Sequence, residues 1–110
     1  MLSSKTMSSD AECPVTRFMA LLGGKWKPIV LFHIANGTNR FGALQRAIPD
    51  VSKQMLTTQL RELEADGILH REVFRVVPPR VEYSLTDFGL SMLPVVDAMR
   101  TWGEAHPAAR

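Results

Sequence analysis

A single cysteine, Cys13, rules out a disulfide within the chain and a multi-cysteine zinc site built by one protomer. The three histidines, His33, His70 and His106, lack metal-ligand spacing, and no cofactor is expected. No apolar run approaches the roughly 20 residues of a membrane span. The opening MLSSKTMSSD has no apolar segment of the signal-peptide kind. These absences point to a cytoplasmic chain with no membrane role. Residues 1–11, polar and serine-rich, are expected to form a disordered tail ahead of one domain over 12–106.

Catalytic patterns are missing too. No Ser/His/acid set or carboxylate pair stands out in the sequence. "DFG" at 87–89 looks like a kinase fragment, but its partner motifs are absent. "GGK" at 23–25 lacks the spacing and the Ser/Thr of a P-loop. An enzyme is not expected. RNA binding is disfavoured, because no platform of stacking aromatics is visible.

A strong charge of either sign is also lacking, since the formal net charge is +2. Its distribution says more than its size. From Arg40 to Arg61 there are four bases (Arg40, Arg46, Lys53, Arg61) against one acid, Asp50. From Arg71 to Arg80 three arginines face Glu72. A locally basic surface on a nearly neutral chain suits a polyanionic partner, though a solvated charged face gives the same count.

The order of elements sharpens this. "CPVTRFMALLGG" reads as a helix with Pro14 at its first position and Gly23-Gly24 ending it. "KWKPIVLFHIANG" follows, with Val30, Leu31 and Ile34 on one side and Pro28 tolerable only in the first turn. A third helix, "FGALQRAI", points Phe41, Leu44 and Ile48 one way. Pro49 then breaks the chain, Ser52 caps a fourth helix running to about Asp66, and Gly67 supplies a left-handed end. Two helices joined by a short turn make a helix-turn-helix. "ILHREVFRV" and "RVEYSL" flank "VPP" and read as a β-hairpin. Thr86 caps one long last helix, "DFGLSMLPVVDAMRTWGEAH", which Pro94 is expected to bend. Its stripe is Leu93, Val96 and Met99, with Trp102 beside it. The expected fold is mainly α with a small β-hairpin, a winged helix-turn-helix.

The fourth helix carries the chemistry. Leu56, Leu60 and Leu63 form a narrow apolar stripe, whereas Gln54, Thr57, Thr58 and Arg61 face the other way with no acid among them. The acids Glu62, Glu64 and Asp66 come afterwards. A helix seated in the major groove needs this division, because donors and acceptors must reach base edges while acids would repel phosphates. Ser52, Lys53 and Gln54 stand at the N-terminus, whose amides favour phosphate. The expected contacts with double-stranded DNA are therefore Ser52, Lys53, Gln54, Thr57, Thr58 and Arg61, joined by Arg75 and Arg80 around the hairpin tip. Arg71 could instead pair with Glu62 or Glu64. Glu82 is expected to pair with Arg40, fixing the wing against the connector. The competing reading is a winged helix used as a protein-interaction module.

The stretches "GGKWKPIVLFHI", "NRFGALQRAIPDVSKQMLTTQLRELEADGI" and "VPPRVEYSLTDFGLSMLPVVDAMRTWG" resemble the HxlR-type, MarR-like family of bacterial and archaeal transcriptional regulators. The motifs, in order, are Gly24-Lys25-Trp26, Arg40-Phe41, Leu60-Arg61-Glu62-Leu63-Glu64, Gly67, Pro79, Glu82-Tyr83-Ser84-Leu85-Thr86 and Gly89. The resemblance spans roughly Cys13 to Gly103. It implies a homodimer, joined through the N- and C-terminal helices, that binds an operator and usually represses, occasionally activates, nearby genes. The apolar content of "TRFMALL" and of the last helix fits such a dimer. Cys13-Pro14 matches the family's N-terminal Cys-Pro, and some members use that cysteine to sense electrophiles or oxidants. At the helix N-cap, Cys13 would face amides that favour thiolate, which makes it a candidate redox sensor answering an oxidant or a small-molecule effector. The alternative is a small residue packing the dimer interface.

Overall fold

In the computed structural model, residues 13–107 are described; the expected tail over 1–11 lies outside them. Four helices come first: α1 (Pro14–Leu22), α2 (Lys27–Ala35), α3 (Phe41–Ala47) and α4 (Lys53–Ala65). An antiparallel hairpin follows, β1 (Leu69–Phe74) with β2 (Arg80–Leu85), and then α5 (Asp87–Leu90) and α6 (Leu93–Ala105).

Helix α2 is the centre. Its sequence, KPIVLFHIA, is apolar nearly all round, so it must be covered on several sides. It packs against α3, α4, α6 and β2. Pro28 sits in the first turn, where its missing N–H removes no helical bond. Val30, Leu31, Leu44, Leu56, Leu60, Leu63 and Ile68 are all at most 2% exposed. Burying such a side chain stabilises by about 1.5–3 kcal/mol. The ion pairs lie at the surface, where each is worth about 1 kcal/mol or less. The leucine core, not charge, holds the domain.

The hairpin is anchored at one end. Leu69 pairs with Leu85 at its base and Phe74 with Arg80 at its far end. Only Leu69 of β1 is buried, so the rest of the strand stands out from the body. The first strand ends at Phe74, two residues short of the expected Val76. Residues 75–79 form the tip, where Pro78 and Pro79 have no N–H to donate to a ladder. The Tyr83 N–H donates to the Asn39 carbonyl at 2.9 Å, which ties the outer edge of β2 to the connector before α3.

The expected single last helix is instead two. Pro94 cannot donate to the carbonyl four residues back, and the chain turns at Ser91–Met92 before α6 restarts with Pro94 in its first turn. The Met92 N–H bonds to Gly89 O at 3.0 Å and the Val95 N–H to Met92 O at 3.1 Å, the tighter spacing of a turn. Buried Met92 plugs the core at the break. The expected stripe on α6 is buried at Val96 and half-buried at Leu93, whereas Met99 and Trp102 are 51% and 59% exposed.

Helix α5 begins at a tight junction. The Thr86 hydroxyl donates to the Gly67 carbonyl at 2.5 Å and accepts the Gly89 N–H at 3.0 Å. Gly89 lies so close to the residue preceding β1 that a Cβ there would collide with the Ile68 carbonyl oxygen. Gly89→Ala is therefore expected to destabilise the domain by about 2 kcal/mol in urea unfolding. Gly103→Ala, whose Cβ would meet nothing within 4 Å, should be neutral or mildly stabilising.

Candidate nucleic-acid interface

Helix α4 is built from both ends. Ser52 is extended (φ −71°, ψ 158°), and its Oγ accepts the Met55 N–H at 3.0 Å. Gly67, at φ +75°, takes the left-handed conformation past the C-terminus. Between them Leu56, Leu60 and Leu63 dock on the core, at 0%, 2% and 0% exposure. With that stripe turned inward, Lys53, Gln54, Thr58 and Arg61 are exposed and Thr57 is half-exposed.

Lys53, Gln54, Thr57, Thr58 and Arg61 line one open depression of about 590 Å³. Five of the eight expected DNA contacts thus share a surface, with Ser52 at its N-terminal edge. The Thr57 hydroxyl donates back to the Lys53 carbonyl at 2.9 Å, so its donor is already engaged while its methyl and lone pairs remain. The first turn holds no acid. Glu62 is drawn towards α2 by the Lys27 Nζ, at 2.8 Å, and not by Arg71. Arg71 lies with Arg61 and Glu64 in a cleft of about 340 Å³ between α4 and the base of the wing, whose walls include Phe41, Thr57 and Tyr83. The Lys27–Glu62 pair had no sequence signal, since the two residues meet only through the packing of α2 on α4.

The wing residues stand apart from that depression. Arg75 and Arg80 bracket the tip, and Val77 at its end is fully exposed. Arg75 is exposed, whereas the guanidinium of Arg80 lies 4.4 Å from the Phe74 ring centre and its Nε is 3.1 Å from Glu82 Oε2. Glu82 also receives Arg40 Nη2 at 3.3 Å, the pair expected from sequence. The third member was readable in principle, because residues 80 and 82 share one face of a strand.

Cys13 is the N-cap residue of α1 (φ −72°, ψ 128°) and is half-buried, though its side chain makes no capping hydrogen bond. Val15 and Met19 on α1, and Val95, Met99 and Trp102 on α6, are each more than 40% exposed.

This arrangement has close counterparts. Residues 21–109 match the HxlR-like helix-turn-helix family. The chain is 52% identical over 107 residues to the uncharacterized HTH-type transcriptional regulator YybR of Bacillus subtilis, a match covering 96% of this chain and 86% of that protein. The redox regulator HypR in its oxidized form superposes with a TM-score of 0.82 at 53% identity, covering 84% of this chain and 96% of that one. The reduced form of the transcriptional regulator YodB from B. subtilis superposes at 0.71 with 32% identity, covering 84% and 91%. All three are named as regulators, YybR as a helix-turn-helix transcriptional regulator, HypR as a redox regulator and YodB as a transcriptional regulator. Among the described residues, no helix is long and apolar enough to cross a membrane.

Removing the cap of α4 tests how its N-terminus is held. Ser52→Ala should lower stability by about 1 kcal/mol in chemical unfolding, and Ser52→Asp should recover most of it.

Proposed function

The chain belongs to the HxlR-like helix-turn-helix family of transcriptional regulators, and on that premise we propose that it is a homodimeric repressor of a near-palindromic operator, responsive to oxidants through Cys13. One observation carries the DNA-reading half: the acid-free depression lined by Lys53, Gln54, Thr57, Thr58 and Arg61. In this reading α4 enters the major groove. Arg61 is suited to the O6 and N7 of guanine, Gln54 to adenine, and the threonine methyls to thymine. Lys53 and Ser52, at the helix N-terminus, hold a phosphate. Arg75 carries the wing to the backbone or the minor groove.

The dimer is supported by the exposed apolar side chains of α1 and α6, a surface that a lone protomer leaves wet. Two-fold symmetry would set the two recognition helices about 34 Å apart, in successive major grooves. A repressor acts from such a site by occupying it in the cytoplasm.

The redox half rests on the place of Cys13 at the start of α1 and on the likeness to HypR, named a redox regulator. With one thiol per chain, oxidation takes two hydrogens from two Cys13 thiols to link the protomers, or joins Cys13 to a small thiol. Either product alters α1 within the proposed interface.

The test is selection of genomic fragments with the reduced and the diamide-treated protein. One near-palindromic site, recovered when reduced and lost on oxidation, is expected. Cys13→Ser should then bind it in both states. Equal binding in both states by the unaltered protein would discard the redox half, and no enriched site in either state would return the interaction-module reading. On the recovered site, Arg61→Ala should reduce discrimination at one base pair by about 1–3 kcal/mol. Arg75→Ala should weaken all sequences alike. Uniform loss from both variants would contradict this division of labour.

A further inference from the structure

The three-residue charge cluster at the wing is more than a brace. Arg40 Nη2 and Arg80 Nε both reach the same carboxylate oxygen, Glu82 Oε2, at 3.3 and 3.1 Å. Two like charges held so close would repel without that carboxylate between them. Two guanidiniums against one carboxylate still leave an excess positive charge. Arg40 Nη2 donates a hydrogen bond to Glu82, whereas Arg80 Nε meets it only as an ion pair, and its buried N–H has no hydrogen-bond acceptor among the described residues.

The surroundings fit an anion of one kind. Arg40 and Arg80 flank an open concavity of about 470 Å³ whose remaining wall is the tip, Val76 to Pro79. That wall is apolar and offers no competing acid. Both arginines are positioned by other contacts. Arg40 follows Asn39, whose carbonyl is bonded to β2, and Arg80 lies over the Phe74 ring. Phe41 and Tyr83, the chain neighbours of Arg40 and Glu82, line the cleft shared with Thr57 and Arg61. Glu82 itself points to the opposite face of β2 from Tyr83, and the cluster stands at Arg40, the N-cap of α3, the helix that crosses the DNA backbone in a helix-turn-helix. An ion pair this exposed contributes little to stability, so a brace alone is a weak reason for it.

We propose that Arg40 and Arg80, preassembled on Glu82, form a two-arginine seat for a single backbone phosphate of the bound DNA. The seat joins the connector before α3 and the wing to one point on the duplex, and it makes Glu82 a positioning residue. This deepens the DNA-binding reading above and rests on it.

Phosphate contacts are independent of sequence, so a mixed-sequence duplex serves as the probe. The salt dependence of affinity is measured for the wild type, Arg40→Gln, Arg80→Gln and the double variant, with thermal unfolding confirming that each is folded. Glutamine keeps a side chain that can still hydrogen-bond Glu82. Each single change should flatten the slope by about 0.9, so that the affinity ratio between 50 and 200 mM salt drops about 3.5-fold. The double variant should flatten it no further, because one phosphate is shared. Doubling of the effect in the double variant would mean two separate phosphates and overturn the shared seat. Unchanged slopes in both single variants would overturn it by making the cluster a brace. Absence of salt-dependent binding by the wild type would reject the DNA-binding reading itself.

Discussion

Everything in this domain is arranged around one helix that cannot face water. Helix α2 is apolar nearly all round, and α3, α4, α6 and β2 each cover part of it. That requirement places the leucine stripe of α4 against the core. Once Leu56, Leu60 and Leu63 are committed inward, the helical period turns Gln54, Thr58 and Arg61 outward. The orientation of the polar face follows from burying the apolar one, with no separate interaction needed to aim it.

A nearly neutral chain can still present a basic surface if its acids are engaged elsewhere. Glu62 meets Lys27 on the α2 side of α4. Glu82 lies between Arg40 and Arg80 at the wing. Asp97 and Glu104 both meet Arg100 on α6. The net charge of +2 thus understates the local excess of positive charge beside α4.

Local signals were the legible ones. Ser52 as a cap, Gly67 as a left-handed terminus, Pro28 within a first turn and Thr86 as a second cap all depend on residues within about one turn of each other. The leucine stripe was equally plain, since it needs only the helical period. Less legible was the outcome at Pro94. A proline allows a bend or a break, and the choice here goes with the burial of Met92 and the seating of Gly89 on the Ile68 carbonyl, both tertiary contacts. The reach of the candidate site was legible in part. Periodicity gave Gln54 and Arg61 a common face and the Arg40–Glu82 pair was expected, whereas the arrival of Arg80 on the same carboxylate was not. The exposure of Met99 and Trp102 was likewise not written in their stripe: Met99 lines an open apolar groove with Pro28, Ile29 and Phe32 of α2, and Trp102 stacks on His106.

The hydroxyl of Thr86 has a consequence for how the domain breathes. It is bonded to the carbonyl of Gly67 just past α4, lies 3.2 Å from the carbonyl of Ile68 just before β1, and receives the amide of Gly89 in α5. One side chain therefore joins the end of the recognition helix, the root of the wing and the start of the C-terminal segment. Opening any of the three exposes polar groups belonging to the other two. Release of that hydroxyl would therefore loosen the C-terminal end of α4, the root of the hairpin and the start of α5 together.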